Sequence, residues 1–295
     1  MNKELERFSQ YLEYEKTVSP HTLRNYMSDL RQFQRYLQSQ KKISQWQAVN
    51  SVTIRSYLGN LYRQNAKSSI ARKLAVIRHF LEYLVRQKAI PTDPSQLIFT
   101  AKQPQKLPTV MNIDDLFHLL ETPDPSTKLG LRDRAILELL YASGIRVSEL
   151  TGLDLDSFSW DNQTIRVRGK GRKERLVPFG HKALKALKAY QEQRPLFYKQ
   201  KEAPHAFFLN VRGGRLTPRS IARMMDKYIL LCGQQRKISP HTLRHTFATH
   251  LLSAGANLRD VQELLGHERL STTQKYTQVS VTKLLEEYDK SHPKA

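Results

Sequence analysis

The chain has 295 residues, with 48 Lys and Arg against 27 Asp and Glu, and a formal net charge of +21 at pH 7. That length predicts two medium-sized domains, and a field of that strength attracts polyanions, which makes nucleic acid the leading partner class. The hydrophobic fraction is an ordinary 39%, no apolar run approaches the roughly 20 residues that span a bilayer, and the charged start from Met1 to Arg7 lacks the apolar stretch of a secretory signal, so no membrane insertion and a cytoplasmic location are expected.

Residues 1–99 read as a helical domain with little strand signal. A short first helix places Leu5, Phe8 and Leu12 on one face. Ser19 and Pro20 form an N-cap and first-turn pair, after which Tyr26, Leu30, Phe33 and Leu37 recur at helical spacing. A third helix is predicted over 52–62 and a fourth over 70–85, where Leu74, Ile77, Phe80, Leu81 and Leu84 build an apolar stripe. The opposite faces carry Arg24, Arg31, Arg72, Lys73, Arg78 and Arg86, which read as a solvated surface available to backbone phosphates. Residues 100–108 are polar, basic and Pro-containing without periodicity, the pattern of a linker. Two basic domains on a basic linker can close around a duplex.

The second domain, 109–295, opens with helices over 113–120 and 133–141. Residues 157–178 then change to strand chemistry: Thr164-Ile165-Arg166-Val167-Arg168 alternates, and Asp161-Asn162 and Gly169-Lys170-Gly171 supply turns. Helices resume at Thr217-Pro218, Ser239-Pro240 and Asn257-Leu258, and again over 281–288. The fold class is therefore mainly α with a small antiparallel β-sheet in the C-terminal domain, a two-domain DNA clamp. The single cysteine, Cys232, excludes an intrachain disulfide and, flanked by Leu230, Leu231 and Gly233, reads as a small buried side chain.

Four segments concentrate residues able to handle a phosphate. In Ser239-Pro240-His241-Thr242-Leu243-Arg244, capping by Ser239 puts His241 and Arg244 three residues apart on one face, near a helix N-terminus that favours anions. Leu243, Phe247, Leu251 and Ala254 fall on the neighbouring core face. His241 and His245 also have the spacing of a helical zinc pair, with His250 or His267 as further ligands, although Thr242 stands where metalloproteases carry glutamate. Leu265-Gly266-His267 ends a helix and exposes an imidazole, and Ser271-Thr272-Thr273 can cap a turn carrying Tyr276. A lone tyrosine is ordinarily a packing residue; the nearby cationic groups set Tyr276 apart. In Ser143-Gly144-Ile145-Arg146-Val147-Ser148-Glu149-Leu150 a helix breaks at Gly144 and another begins near Ser148, with Arg146 at the junction or simply paired with Glu149. Lys170 sits at the tip of the predicted β-turn.

Taken together, the Gly-Ile-Arg-x-Ser-Glu-Leu box, the hairpin lysine, His-x-x-Arg, Leu-Gly-His and the late tyrosine resemble the tyrosine recombinases, over nearly the whole chain. The run Ser19-Pro20-His21-Thr22 with Tyr26 and Leu30 is similar to the core-binding domain of the Xer branch, and Tyr288–Ala295 is similar to the end of one subunit of that branch. The resemblance implies a helical core-binding domain before an α+β catalytic domain. It also implies attack by Tyr276 to give a 3′-phosphotyrosyl bond, Arg146 and Arg244 on the non-bridging oxygens, Lys170 as general acid, His241 assisting deprotonation of Tyr276, and His267 on the phosphate. No cofactor and no metal are expected. Gln278 departs from the His that many relatives carry there. The implied partners are double-stranded DNA, a XerD-type recombinase in a cyclic heterotetramer joined through the 281–288 helix, and an FtsK-type translocase as regulator, acting on chromosome dimers at dif-type sites. A phage or transposon integrase of the same chemistry, or a DNA-binding protein without catalysis, fits the charge and helices as well.

Overall fold

The computed structural model describes residues 1–99, 109–169, 173–198, 205–234 and 238–266. The chain divides into two compact units, Met1–Lys106 and Leu107–Ala295. The expected linker 100–108, Lys170, His267, the Ser271–Thr273 cap, Tyr276, Gln278 and the 281–288 helix lie outside the described residues.

The first unit contains α1 (Asn2–Gln10), α2 (Pro20–Lys41), α3 (Ser51–Leu61) and α4 (Lys67–Arg86). The Ser19 hydroxyl accepts from the Thr22 N–H at 3.2 Å with Pro20 in the first turn, and Asn50 caps α3 through the Thr53 N–H at 2.9 Å. Leu5 and Phe8 are buried from α1, and Leu12 is buried from a wider π-helical turn over Tyr11–Glu15. That turn shifts register relative to the regular helix the 3.6-residue period predicts, yet Leu12 still reaches the core. Aromatic rings fill the centre: Phe8 and Trp46 pack on Phe80 with centroids 5.1 and 4.8 Å apart.

The polar face departs from expectation at Lys73, which is buried rather than solvated. Its ammonium donates to Asp29 Oδ1 at 2.7 Å and to Gln32 Oε1 at 2.6 Å. Arg72 pairs with the same carboxylate. A buried cation needs such partners to offset its lost hydration, so Lys73 clamps α4 to α2. Arg78 donates to the Ile98 carbonyl and Arg86 to the Tyr11 hydroxyl; Arg24 and Arg31 are exposed.

The second unit is built around α6 (Lys128–Ser143), preceded by α5 (Ile113–Glu121) and followed by the short α7 (Val147–Thr151). Every residue of α6 from Ala135 to Ser143 is buried, as expected of a helix covered on all sides. Strands β1 (Phe158–Ser159), β2 (Thr164–Arg168) and β3 (Glu174–Pro178) form an antiparallel sheet in that order. On β2, Ile165 and Val167 face the core while Arg166 and Arg168 face out. Helices α8 (His181–Gln193), α9 (Pro218–Leu231), α10 (Pro240–Ser253) and α11 (Leu258–Leu265) complete it.

Two smaller expectations fail here. Cys232 is only half-buried, with its sulfur 2.8 Å from Thr122 Oγ1, because Leu230 and Leu231 turn outward at 80% and 62% exposure. Ala254 is exposed at the C-cap of α10, three residues past the last core residue on that face, Leu251.

Candidate active site

Three local signals place the site. Gly144 ends α6 at φ +57°, a left-handed conformation that favours glycine, and a Cβ there would lie 2.3 Å from the Phe247 ring. The break turns the chain so that Arg146 becomes the N-cap residue of α7, its backbone N–H donating to Glu149 Oε2 at 2.7 Å. In α10 the Ser239 hydroxyl accepts from the Thr242 N–H at 3.2 Å, and Thr242 Oγ1 accepts from the Ser239 N–H at 3.1 Å. This capping fixes the helical phase that buries Arg244 and leaves His241 exposed in the first turn. Helix α11, capped by Asn257, stops at Gly266 with φ +64°.

These elements meet at the C-terminal end of α11. Arg244 donates from Nη1 to the Gly144 carbonyl at 2.6 Å and from Nη2 to the Leu265 carbonyl at 2.5 Å. Arg146 reaches the Gly266 carbonyl at 3.4 Å, and Arg175, from β3, donates from Nε to the Leu264 carbonyl at 3.2 Å. Three consecutive carbonyls at the negative end of the helix dipole thus receive three guanidiniums. Glu149 binds two of them: Arg146 Nη1 at 3.1 Å, and the fork of Arg175 at 2.8 and 3.1 Å.

The electrostatics follow from this crowding. Burial, then the neighbouring Arg146 charge, pushes the Arg244 guanidinium down to about 10, with Glu149 opposing and Arg175 adding to the fall; it stays charged at neutral pH. Burial alone would raise the Glu149 carboxyl, but the hydrogen bond and charge of Arg175, with the backbone N–H and charge of Arg146, outweigh it and hold the group below its ordinary value. The Arg146 side chain is 38% exposed, so it can face a bound anion while tied at its base.

The structure therefore brings Arg146 and Arg244 together and sets His241 one turn ahead of Arg244. The alternative pairing of Arg146 with Glu149 is also present, and the two are compatible. The zinc arrangement receives no support among the described residues: the only cluster of three ligand-bearing side chains is Asp154, Asp156 and His205, and His250 engages both ring nitrogens, with the Tyr141 hydroxyl and the Met111 carbonyl, each at 3.0 Å. Arg175 went unnoticed in the sequence. Its signal was the alternation of β3, which puts Arg175 and Val177 inward and Leu176 outward.

Residues 109–283 match the model of the phage integrase family, and residues 5–88 match the phage integrase N-terminal SAM-like domain. The chain belongs to the phage integrase family. It is 52% identical over 294 residues to the tyrosine recombinase XerC of Myxococcus xanthus, covering 99% of this chain and 98% of the relative. It is 47% identical over 306 residues to the tyrosine recombinase XerC of Syntrophus aciditrophicus (strain SB), covering 100% and 99%. Among solved structures, the XerH site-specific recombinase bound to a palindromic difH substrate, in a post-cleavage complex, superposes with a TM-score of 0.72 at 25% identity, covering 97% of this chain and 83% of that one. This family member is a site-specific tyrosine recombinase: it binds DNA and cleaves and rejoins it through a tyrosine nucleophile. No helix among the described residues is long and apolar enough to cross a membrane.

Proposed function

We propose that Tyr276 is the nucleophile of this recombinase and that Arg146, Lys170, His241, Arg244 and His267 complete its catalytic set. The observation that carries the reading is the convergence of Arg146 and Arg244 on the neighbouring carbonyls of Gly266 and Leu265, directly before His267 in the chain. Two guanidiniums at one point suit a phosphate with two non-bridging oxygens.

In the cleavage step, Tyr276 Oη attacks the scissile phosphorus and the bond to the 5′-oxygen breaks, leaving a 3′-phosphotyrosyl ester. A free phenol has a pKa of about 10, so His241 receives its proton as the bond forms, and Lys170 delivers a proton to the departing 5′-oxygen. Arg146 and Arg244 stabilise the charge that accumulates on the pentacovalent phosphorane, and His267 hydrogen-bonds the same phosphate. The ester retains the energy of the broken phosphodiester, so attack by a 5′-hydroxyl reseals the strand without ATP or a metal-dependent step.

Residues 1–99 form the core-binding domain, 100–108 the linker and 109–295 the catalytic domain, a division supported by the family matches over 5–88 and 109–283. The target is a dif-type site, and the work is resolution of chromosome dimers in the cytoplasm. The chain acts in a heterotetramer with a XerD-type recombinase under an FtsK-type translocase. Similarity to relatives named XerC and the 281–288 helix pattern support this assignment.

A nicked suicide duplex carrying a dif-type sequence tests the chemistry. The protein should leave a denaturation-resistant protein–DNA band in excess chelator, and Tyr276→Phe should bind the duplex without forming it. A band that survives in Tyr276→Phe, or one abolished by EDTA and restored by zinc or magnesium, refutes the proposal. Truncation after Val281 should weaken cooperative assembly more than binding to a single site; equal loss of both would remove the docking role of the final helix.

A further inference from the structure

We infer that Arg175, a residue outside the proposed catalytic set, is a positioning residue that governs how Arg146 is presented to the scissile phosphate; the inference rests on the catalytic reading above. Arg175 stands on the inward face of the sheet, paired in register with Val167, a position at which a strand normally carries an apolar side chain. Its side chain is 9% exposed and that of Glu149 is 3%. Burying a guanidinium and a carboxylate there is justified energetically only if each has charged or polar partners, and both do. The fork of Arg175 donates to both Glu149 oxygens, and its Nε–H donates to the Leu264 carbonyl.

The contacts form a closed circuit. It runs from the Leu264 carbonyl through Arg175 to Glu149, from Glu149 to the backbone and side chain of Arg146, and from Arg146 to the Gly266 carbonyl. A Cβ at Gly266 would lie 3.1 Å from Arg175 Cζ, and one at Gly169 would lie 3.8 Å from Arg175 Nη1 and from Glu149 Oε1. Arg175 therefore packs against the residue before His267 and the residue before Lys170, besides steering Arg146 through Glu149.

Competition for one carboxylate gives this a chemical consequence. With Arg175 present, Glu149 shares its lone pairs between two guanidiniums, and Arg146 is held at its base by its own backbone N–H. Without Arg175, Glu149 keeps its buried negative charge and has only Arg146 to answer it, so it draws that guanidinium into a tighter pair and away from a phosphate. Lysine cannot substitute, because one ammonium does not span a planar carboxylate and a carbonyl on another element.

The test uses the full chain on two nicked suicide duplexes, one with a normal scissile phosphate and one with a neutral methylphosphonate, read as single-turnover cleavage rate and duplex affinity. Arg175→Gln should slow cleavage of the phosphate at least about 100-fold with duplex affinity changed less than about threefold. The loss should shrink to about tenfold or less on the methylphosphonate, where less anionic charge needs stabilising. A defect that merely loosened the fold would slow both substrates equally, and that result, or an unchanged rate, overturns the inference. Should Arg175→Gln melt early, the double variant Glu149→Gln with Arg175→Gln decides: action through Glu149 makes it no slower than the single, whereas multiplied losses refute the circuit. Wild-type protein forming no Tyr276-dependent adduct on the phosphate duplex would instead defeat the catalytic reading itself.

Discussion

Replacing Gly144 with alanine attacks the site at its hinge. Gly144 has φ +57°, where a Cβ-bearing residue is strained by about 1–2 kcal/mol. The new methyl would lie 2.3 and 2.7 Å from Phe247 Cδ1 and Cε1 and 3.1 Å from Leu265 Cδ2. Phe247 is fully buried, so its ring moves only by displacing other core groups, an overpacking penalty of about 1–3 kcal/mol. The two effects sum to about 3.5 kcal/mol at mid-range, or about 7–14 °C in Tm for a domain of this size. Because the Gly144 carbonyl holds Arg244, cleavage of a suicide duplex should fall as well, even at a temperature where the variant is folded. Gly59→Ala is the matched control: it lies exposed within α3 with nothing within 4 Å of a new Cβ, and should gain up to about 1 kcal/mol from helix propensity. A Gly144→Ala melting point within about 2 °C of the wild type would refute the account of this hinge.

Asp29→Asn should destabilise the first unit by about 3–5 kcal/mol, read as an earlier urea transition, because it removes the counter-charge of the buried Lys73 ammonium and leaves Gln32 as its neutral partner. Thr246→Val keeps the shape but removes the Oγ1 that accepts from the Met111 N–H at 3.1 Å; an orphaned buried donor should lower stability by about 1–3 kcal/mol, seen by chemical denaturation. Glu149 carries a pH signature. Its folded carboxyl titrates below the ordinary 4.5, so its contribution is present in full above that pH and is lost as pH falls through the folded value. The stability difference between wild type and Glu149→Gln should therefore be constant near neutrality and shrink in acid; a difference that grows in acid contradicts the assignment.

Features set by adjacent residues are legible in the sequence. Ser19-Pro20 and Ser239-Pro240 start helices because the cap and the ring act within one turn, and Gly144 and Gly266 end them because the chain must turn left-handed there. The alternation in Thr164–Arg168 marked the sheet for the same reason. What escaped depends on residues far apart in sequence. Lys73 looks like its exposed neighbours until Asp29 and Gln32 approach from α2, and Arg175 looks solvent-facing until Glu149 and α11 close over it. Helix α8 was missed although Ala183, Leu187 and Tyr190 are buried at helical spacing; three buried positions in a helix of 13 residues make a thin stripe. At the site, residue types exposed Arg146 and Arg244 as candidates, but only packing shows that both end on the same turn.

The last turn of α11 already supplies these arginines with part of what an anion supplies. Carbonyls at a helix C-terminus present about half an electronic charge, so Arg244 rests on dipoles rather than standing bare, and Arg146 and Arg175 rest on dipoles together with the Glu149 carboxylate. Occupation of this point is consequently substitution, not capture: the newcomer gains the difference between a whole charge and that fraction. A small ion diffusing alone gains little from it. An anion held in place by many other contacts along a polymer loses no further freedom in making the exchange, and selectivity between the two arises before any chemistry begins.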